Sequence, residues 1–179
     1  MATSPRFVCH ALRSKIGVVF IGFSLLLVFL VYGVSSHKLT IPELNTVFLA
    51  LVSTVWFSCF DVIGYHILLS RKKDGTAPKS IEAWYRILQT TVQHIITITL
   101  LLIDFQSAIW YVMLWWVGMC DWFYYVLIDY DFNFDEMSWL WWSFTGLLIG
   151  ETSSSSVRIA TYTALLAMVL HAVLRFTSH

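Results

Sequence analysis

Five apolar runs, at residues 16–34, 46–69, 86–103, 107–128 and 157–176, alternate with short polar connections. Each is close to the roughly 20 apolar residues that carry a helix across the hydrocarbon core of a bilayer. A sixth run, 137–150, holds about 14 residues. At ~1.5 Å of rise per residue it reaches only about 21 Å, against a core of roughly 30 Å. It reads either as a thin span lengthened by its flanks or as a re-entrant segment. The pattern predicts an all-α polytopic membrane helix bundle forming one domain over residues 1–179. The bundle has six transmembrane helices, or five plus a short re-entrant segment.

The connections fit this reading. Residues 35–45 contain Pro42 and Glu43. Residues 70–85 contain Asp74, Gly75 and Pro78, a turn signal. Residues 104–106 are short enough to make the third and fourth helices an antiparallel hairpin. Residues 129–136 are acidic and aromatic, and 151–156 carry a serine run. The three prolines, Pro5, Pro42 and Pro78, all fall outside the spans. Secondary transporters often expose backbone to substrate through helices broken by Gly or Pro, so this chain is a poor candidate for one.

Composition agrees with a membrane solvent. The chain has 179 residues, 58% hydrophobic and 12% charged, with a mean hydropathy of +0.73. A soluble chain carries about 25% charged residues. Net charge is zero, which gives no footing to a nucleic-acid partner. Arg6, Arg13 and Lys15 precede the first run, as in a secretory signal. That run nevertheless exceeds the about 7–15 residues of a signal's apolar region and lacks a cleavage site, so it reads as a retained span. With six spans and a cytoplasmic N-terminus, Arg6, Arg13, Lys15, Arg71, Lys72, Lys73, Lys79, Arg86 and Arg175 lie inside, and only Lys38 and Arg158 lie outside. A five-span arrangement exchanges Arg175 with Arg158, and the N-terminus stays cytoplasmic.

Ionisable side chains within spans cost about 2.5–3.5 kcal/mol or more at mid-bilayer, and usually face the bundle interior. The candidates are Asp61 and His66 on helix two, His94 on helix three, Asp121 on helix four and His171 on helix six. Counted along each run, Asp61, His94 and Asp121 sit about 10–12 Å from the cytoplasmic boundary, and His171 about half as deep. Thr54, Ser58, Asp61 and Tyr65 form one stripe, and Thr90, His94 and Thr97 another. Gly118, Asp121 and Tyr125 share a face, as do Ala160, Ala164, Ala167 and His171. His66 points about 140° away from Asp61, toward the interface. Asp61, His94 and Asp121, with His171 near, are therefore expected to meet in one polar site. Two carboxylates and imidazoles suit a transition metal ion (Fe, Mn, Zn or Cu) held by Asp61, His94, Asp121 and His171. They equally suit a general acid–base set of Asp61, His94 and Asp121. The bland reading is that these groups bond one another and fix helix register. Haem between two histidines ranks lower, because the nearby carboxylates spoil an apolar slot.

Other features add less. Asp129, Asp131, Asn133 and Asp135 alternate with Tyr130, Phe132 and Phe134, as at the start of a calcium loop. Phe134 and Leu140 stand where an EF-hand needs Gly and Glu, which excludes that motif. An acidic loop anchored by aromatics remains. Of nine tryptophans, Trp110, Trp122 and Trp139 suit interfacial belts. Trp115 and Trp116 lie deeper and, with Tyr65 and Tyr125, are the expected lining of a hydrophobic substrate pocket. Cys9, Cys59 and Cys120 show neither paired nor zinc spacing.

The expected function is a small multi-pass membrane enzyme acting on a lipid or other hydrophobic substrate near the cytoplasmic side. Two alternatives stand beside it. One is a non-catalytic subunit of a larger membrane complex, associating with other membrane protein subunits or with itself. The other is an oligomeric proton or ion pathway.

Overall fold

The computed structural model describes residues 20–22, 24–33, 42–73, 75, 80–128, 131, 133–137, 140–150 and 152–177. Arg6, Cys9, Arg13, Lys15, Lys38, Lys79, Asp129, Tyr130, Phe132 and Trp139 lie outside these residues, as do the side chains of His66, Arg71, Lys72 and Lys73. Among the described residues the chain is helical and has no strand. The helices are α1 (Phe20–Gly33), α2 (Pro42–Lys73), α3 (Ile81–Ile103), α4 (Phe105–Trp116), α5 (Met119–Leu127), α6 (Phe144–Ile149) and α7 (Ser154–Thr177). Among the described residues three segments are long and apolar enough to cross a membrane: Leu44–Tyr65, Ile81–Ile103 and Ser154–Thr177.

α2 is the centre of the bundle and packs against α3, α4, α5 and α7. Its sequence allows close neighbours on several sides, because Ala50, Ser53, Thr54, Ser58 and Cys59 are small and fully buried. The Thr54 and Ser58 hydroxyls donate to the carbonyls of Ala50 and Thr54, each at 2.8 Å, so both are satisfied on their own helix. Leu49 and Phe57 of α2 close the core with Leu100 of α3 and Tyr111 of α4. α1 leans on the same helix: Trp56 Nε1 donates to Ser24 Oγ at 2.8 Å, and its ring lies 5.3 Å from Phe20.

The expected α3–α4 hairpin turns on a single residue. Asp104 is extended (φ −152°) and serves as C-cap of α3 and N-cap of α4. Its carboxylate accepts from Gln106 N at 3.2 Å, from Thr46 Oγ1 at 2.7 Å and from the Ser107 hydroxyl, tying the turn to the start of α2.

Beyond α4 the structure departs from expectation. The run 107–128 is two helices, broken at Val117–Gly118. Gly118 has φ +88°, a left-handed backbone that costs a side-chain-bearing residue about 1–2 kcal/mol. A Cβ on Gly118 would also lie 3.0 Å from Val157 Cγ1, so the glycine also lets α7 approach.

Among the described residues of the run 137–150 there is one α-helix, the six-residue α6, about 9 Å long. It belongs to a closed excursion. At the neck, Ser154 N donates to Phe134 O at 2.9 Å, Phe134 N to Ser154 Oγ at 3.0 Å, and Met137 N to Thr152 O at 2.6 Å. At the far end, Trp142 stacks on Trp115 at 4.5 Å, and Trp116 Nε1 donates to Trp142 O at 3.1 Å. The segment thus leaves from beside Tyr125, where Phe134 packs, reaches the α4–α5 break and returns.

α7 consequently runs antiparallel to α4. Its Arg175 donates to Gln106 Oε1, and its His171 accepts from Trp110 Nε1 at 3.2 Å. The end of α7 therefore lies beside the Asp104 turn, and His171 sits in the half of the bundle opposite Asp61. The expectation that His171 joins Asp61 is corrected by this chain direction.

Gly118→Ala should destabilise the protein by about 1–2 kcal/mol in chemical unfolding, from backbone strain alone. Gly22→Ala, whose added Cβ meets nothing within 4 Å, is the control that should not lose stability.

Candidate functional site

Asp61 is the polar centre of the end of the bundle where α2 finishes and α3 begins. It lies on the stripe of Thr54, Ser58 and Tyr65, and α3 crosses that stripe at its second turn. Gly64 makes the crossing close. A Cβ at Gly64 would fall 2.4 Å from Tyr85 Cε2, so the Tyr85 ring rests directly on the α2 backbone. From there the phenol donates to Asp61 Oδ1 at 2.6 Å, with the Asp61 carbonyl 2.9 Å away. Gln89, one turn along α3, donates from Nε2 to the same Oδ1 at 2.6 Å. Arg86 donates from Nη1 to Gln89 Oε1 at 2.8 Å. A guanidinium, an amide, a carboxylate and a phenol are thus joined in one hydrogen-bonded series.

A cavity of about 280 Å³ opens beside this series. It is lined by Tyr65, Leu68, Ile81, Glu82, Ala83, Tyr85 and Arg86. Aromatic rings extend it toward α5. Tyr65 meets Tyr124 edge-on at 6.0 Å, Tyr124 meets Tyr125 at 5.3 Å, and Tyr125 meets Phe134 at 5.1 Å. Asp121, in the first turn of α5, and Asp61 both act electrostatically on Tyr124 and on Cys120.

The structure therefore gathers Asp61, Tyr65, Asp121 and Tyr125 into one region, and leaves the other expected residues elsewhere. His94 lies on the outer face of α3, its Nδ1 2.7 Å from Thr90 O. His171 is bonded to Trp110 at the opposite end. Trp115 and Trp116 pack against the 134–154 excursion and do not line the cavity. Among the described residues no three side chains of His, Cys, Asp and Glu come together to hold a metal ion, and the expected ligand set Asp61, His94, Asp121 and His171 is not assembled.

Tyr85, Arg86 and Gln89 are the partners that the sequence reading missed. Beginning the third span at residue 86 left Tyr85 in a connection and placed Arg86 at a boundary. Gly64 was the available signal: a glycine one turn after an intramembrane acid marks a close approach of another element. No protein family, curated protein or solved structure matches the chain.

Gly64→Ala should displace Tyr85 and destabilise the protein by about 1–3 kcal/mol. Combined with Tyr85→Ala it should cost less than the sum of the two, with a coupling of about 0.5–3 kcal/mol in a double-mutant cycle. Strict additivity would mean that the ring does not rest on Gly64.

Proposed function

We propose that the chain is a multi-pass membrane enzyme that binds the polar head of an amphiphile, a lipid or similarly hydrophobic molecule, beside Asp61. The observation that carries this reading is a carboxylate held by two hydrogen bonds of 2.6 Å next to a cavity of about 280 Å³. A head group entering the cavity meets the Arg86 guanidinium, the Glu82 carboxylate and the phenols of Tyr65 and Tyr85. Leu68, Ile81 and Ala83 suit the start of its apolar chain. The Tyr85 proton is committed to Asp61, so the phenol oxygen is left to accept a hydrogen from a hydroxyl or amine of the ligand. When that ligand group is deprotonated, its proton goes to the Tyr85 oxygen and the original phenol proton goes to Asp61 Oδ1. Asp61 is then the general base and Tyr85 its relay.

In this reading the membrane is crossed five times, by α1, α2, α3, the α4–α5 pair and α7. The α4–α5 pair holds 12 and 9 helical residues, about 31 Å in all. Residues 134–154 enter and leave as a re-entrant segment on the Asp61 side. That side is the cytoplasm, because Arg6, Arg13, Lys15, Arg71, Lys72, Lys73, Lys79, Arg86 and Arg158 gather there, with Lys38 and Arg175 opposite.

Protein purified in mild detergent should carry an amphiphile detectable by lipid mass spectrometry. Arg86→Gln and Tyr85→Phe should each lower its affinity about tenfold, the loss of one hydrogen bond to a charged or polar head. A protein free of amphiphile, or one indifferent to both substitutions, overturns the reading. The crossing number has its own measurement. Glycosylation acceptors fused before residue 1 and after residue 179 should report opposite sides of the membrane; the same side at both ends means six crossings.

A further inference from the structure

α3 is an exposed span. Only 11% of its apolar window is buried within the chain, against 50% for α2. Exposure to lipid suits most of its outer side chains, and three of its four threonines manage on their own helix. Thr91, Thr97 and Thr99 donate to Ile87 O, Gln93 O and Ile95 O at 2.8, 3.0 and 2.8 Å. Thr90 and His94 do not fit lipid. Both are exposed, and they line one shallow groove with Ile87, Thr91, Ile95, Ile98 and Arg86, whose guanidinium is turned to Gln89 Oε1. His94 Nδ1 faces the Thr90 carbonyl at 2.7 Å; a carbonyl only accepts, so Nδ1 is the donor, and in that tautomer Nε2 is left as an acceptor. The Thr90 hydroxyl has no partner among the described residues. An unpaired acceptor and an unpaired donor thus sit together on the outside of a span, about 6–12 Å beyond Arg86 along the axis. Ionisable groups at such positions usually face protein. The outer face of α7 offers a contrast: Leu166, Leu170, Val173 and Leu174 are exposed and purely apolar, and its His171 is turned inward onto Trp110.

We propose that a second copy of this chain covers the α3 groove, in a two-fold dimer whose α3 helices run parallel. The face is complementary to itself. Helical side chains lean toward the helix N-terminus, and His94 Nδ1 already reaches the Thr90 carbonyl, so the imidazole is drawn back along the helix toward Thr90. A two-fold axis along the membrane normal brings residues of equal depth together. Thr90 of each copy then donates to His94 Nε2 of the other, and both orphan groups are satisfied twice over by one symmetric contact. Ile87, Thr91, Ile95 and Ile98 flank the pair and supply the packing that drives association where lipid removes the hydrophobic drive.

The full chain, purified in mild detergent, should have the mass of two 20.7 kDa chains by light scattering. His94→Leu and Thr90→Val should each weaken association about tenfold, the worth of two interhelical hydrogen bonds. A second readout does not depend on those variants. With Cys9, Cys59 and Cys120 replaced by alanine, Ile98→Cys should form a disulfide between copies under mild oxidation, and Leu170→Cys on α7 should not. A wild-type monomer, a dimer whose affinity ignores both groove substitutions, or cross-linking at Leu170 in place of Ile98 each overturn the proposal. Loss of the amphiphile without loss of the dimer would overturn the proposed function and leave this inference standing.

Discussion

Away from water, each hydrogen-bonding group of the chain has to find its partner within protein, and the architecture is a set of answers to that demand. α2 can be surrounded because its buried positions are small and because the hydroxyls of Thr54 and Ser58 turn back onto its own carbonyls. The reversal between α3 and α4 can be as short as one residue because the Asp104 carboxylate accepts three hydrogen bonds there. The largely irregular stretch between α5 and α7, with the short α6 within it, is tolerated because its two ends bond each other and its interior leans on the tryptophans of α4. Asp61 is kept by a phenol and an amide from α3, whereas among the described residues the demand is left unmet at the exposed His94 of α3 and at the buried hydroxyls of Ser53, Tyr111 and Thr161.

The long helices were legible because hydropathy over some 20 residues reads directly onto burial in lipid. The runs 46–69, 86–103 and 157–176 became α2, α3 and α7 with small changes at the ends. The break in the run 107–128 was not legible. Gly118 looks like a small residue on a packing stripe, and neither its left-handed backbone nor the close approach of Val157, 39 residues further along the chain, is written in the local hydropathy. The short run 137–150 left two readings open, and the choice between them also sets the direction of α7. Hydropathy carries no information about direction, which is why His171 was assigned to the wrong half of the bundle.

At the site, Asp61 stood out because a carboxylate amid apolar residues is rare. Tyr85 was hidden by one turn of helix, because starting α3 five residues late removes it and reduces Arg86 to a boundary charge; Gln89 lay within the run 86–103 but has no charge to single it out. His94 shows a different failure. The stripe Thr90, His94 and Thr97 was assigned to the interior because it is polar, whereas Tyr85, Ile96 and Leu100 are the buried side of α3. Threonines that bond their own helix are compatible with lipid, so they do not report which way a span faces.

The neck that joins Phe134 to Ser154 also constrains how the protein is made. A helix of six residues is far too short to be partitioned into lipid as a span while the chain is being synthesised. Its neck partners, Thr152 and Ser154, emerge only at the threshold of α7. In the proposed five-crossing arrangement, the 134–154 excursion therefore has to wait outside the bilayer, tethered to α5, until α7 is seated. In that arrangement the stacking of Trp142 on Trp115, beside the α4–α5 break, can form only once the loop has closed.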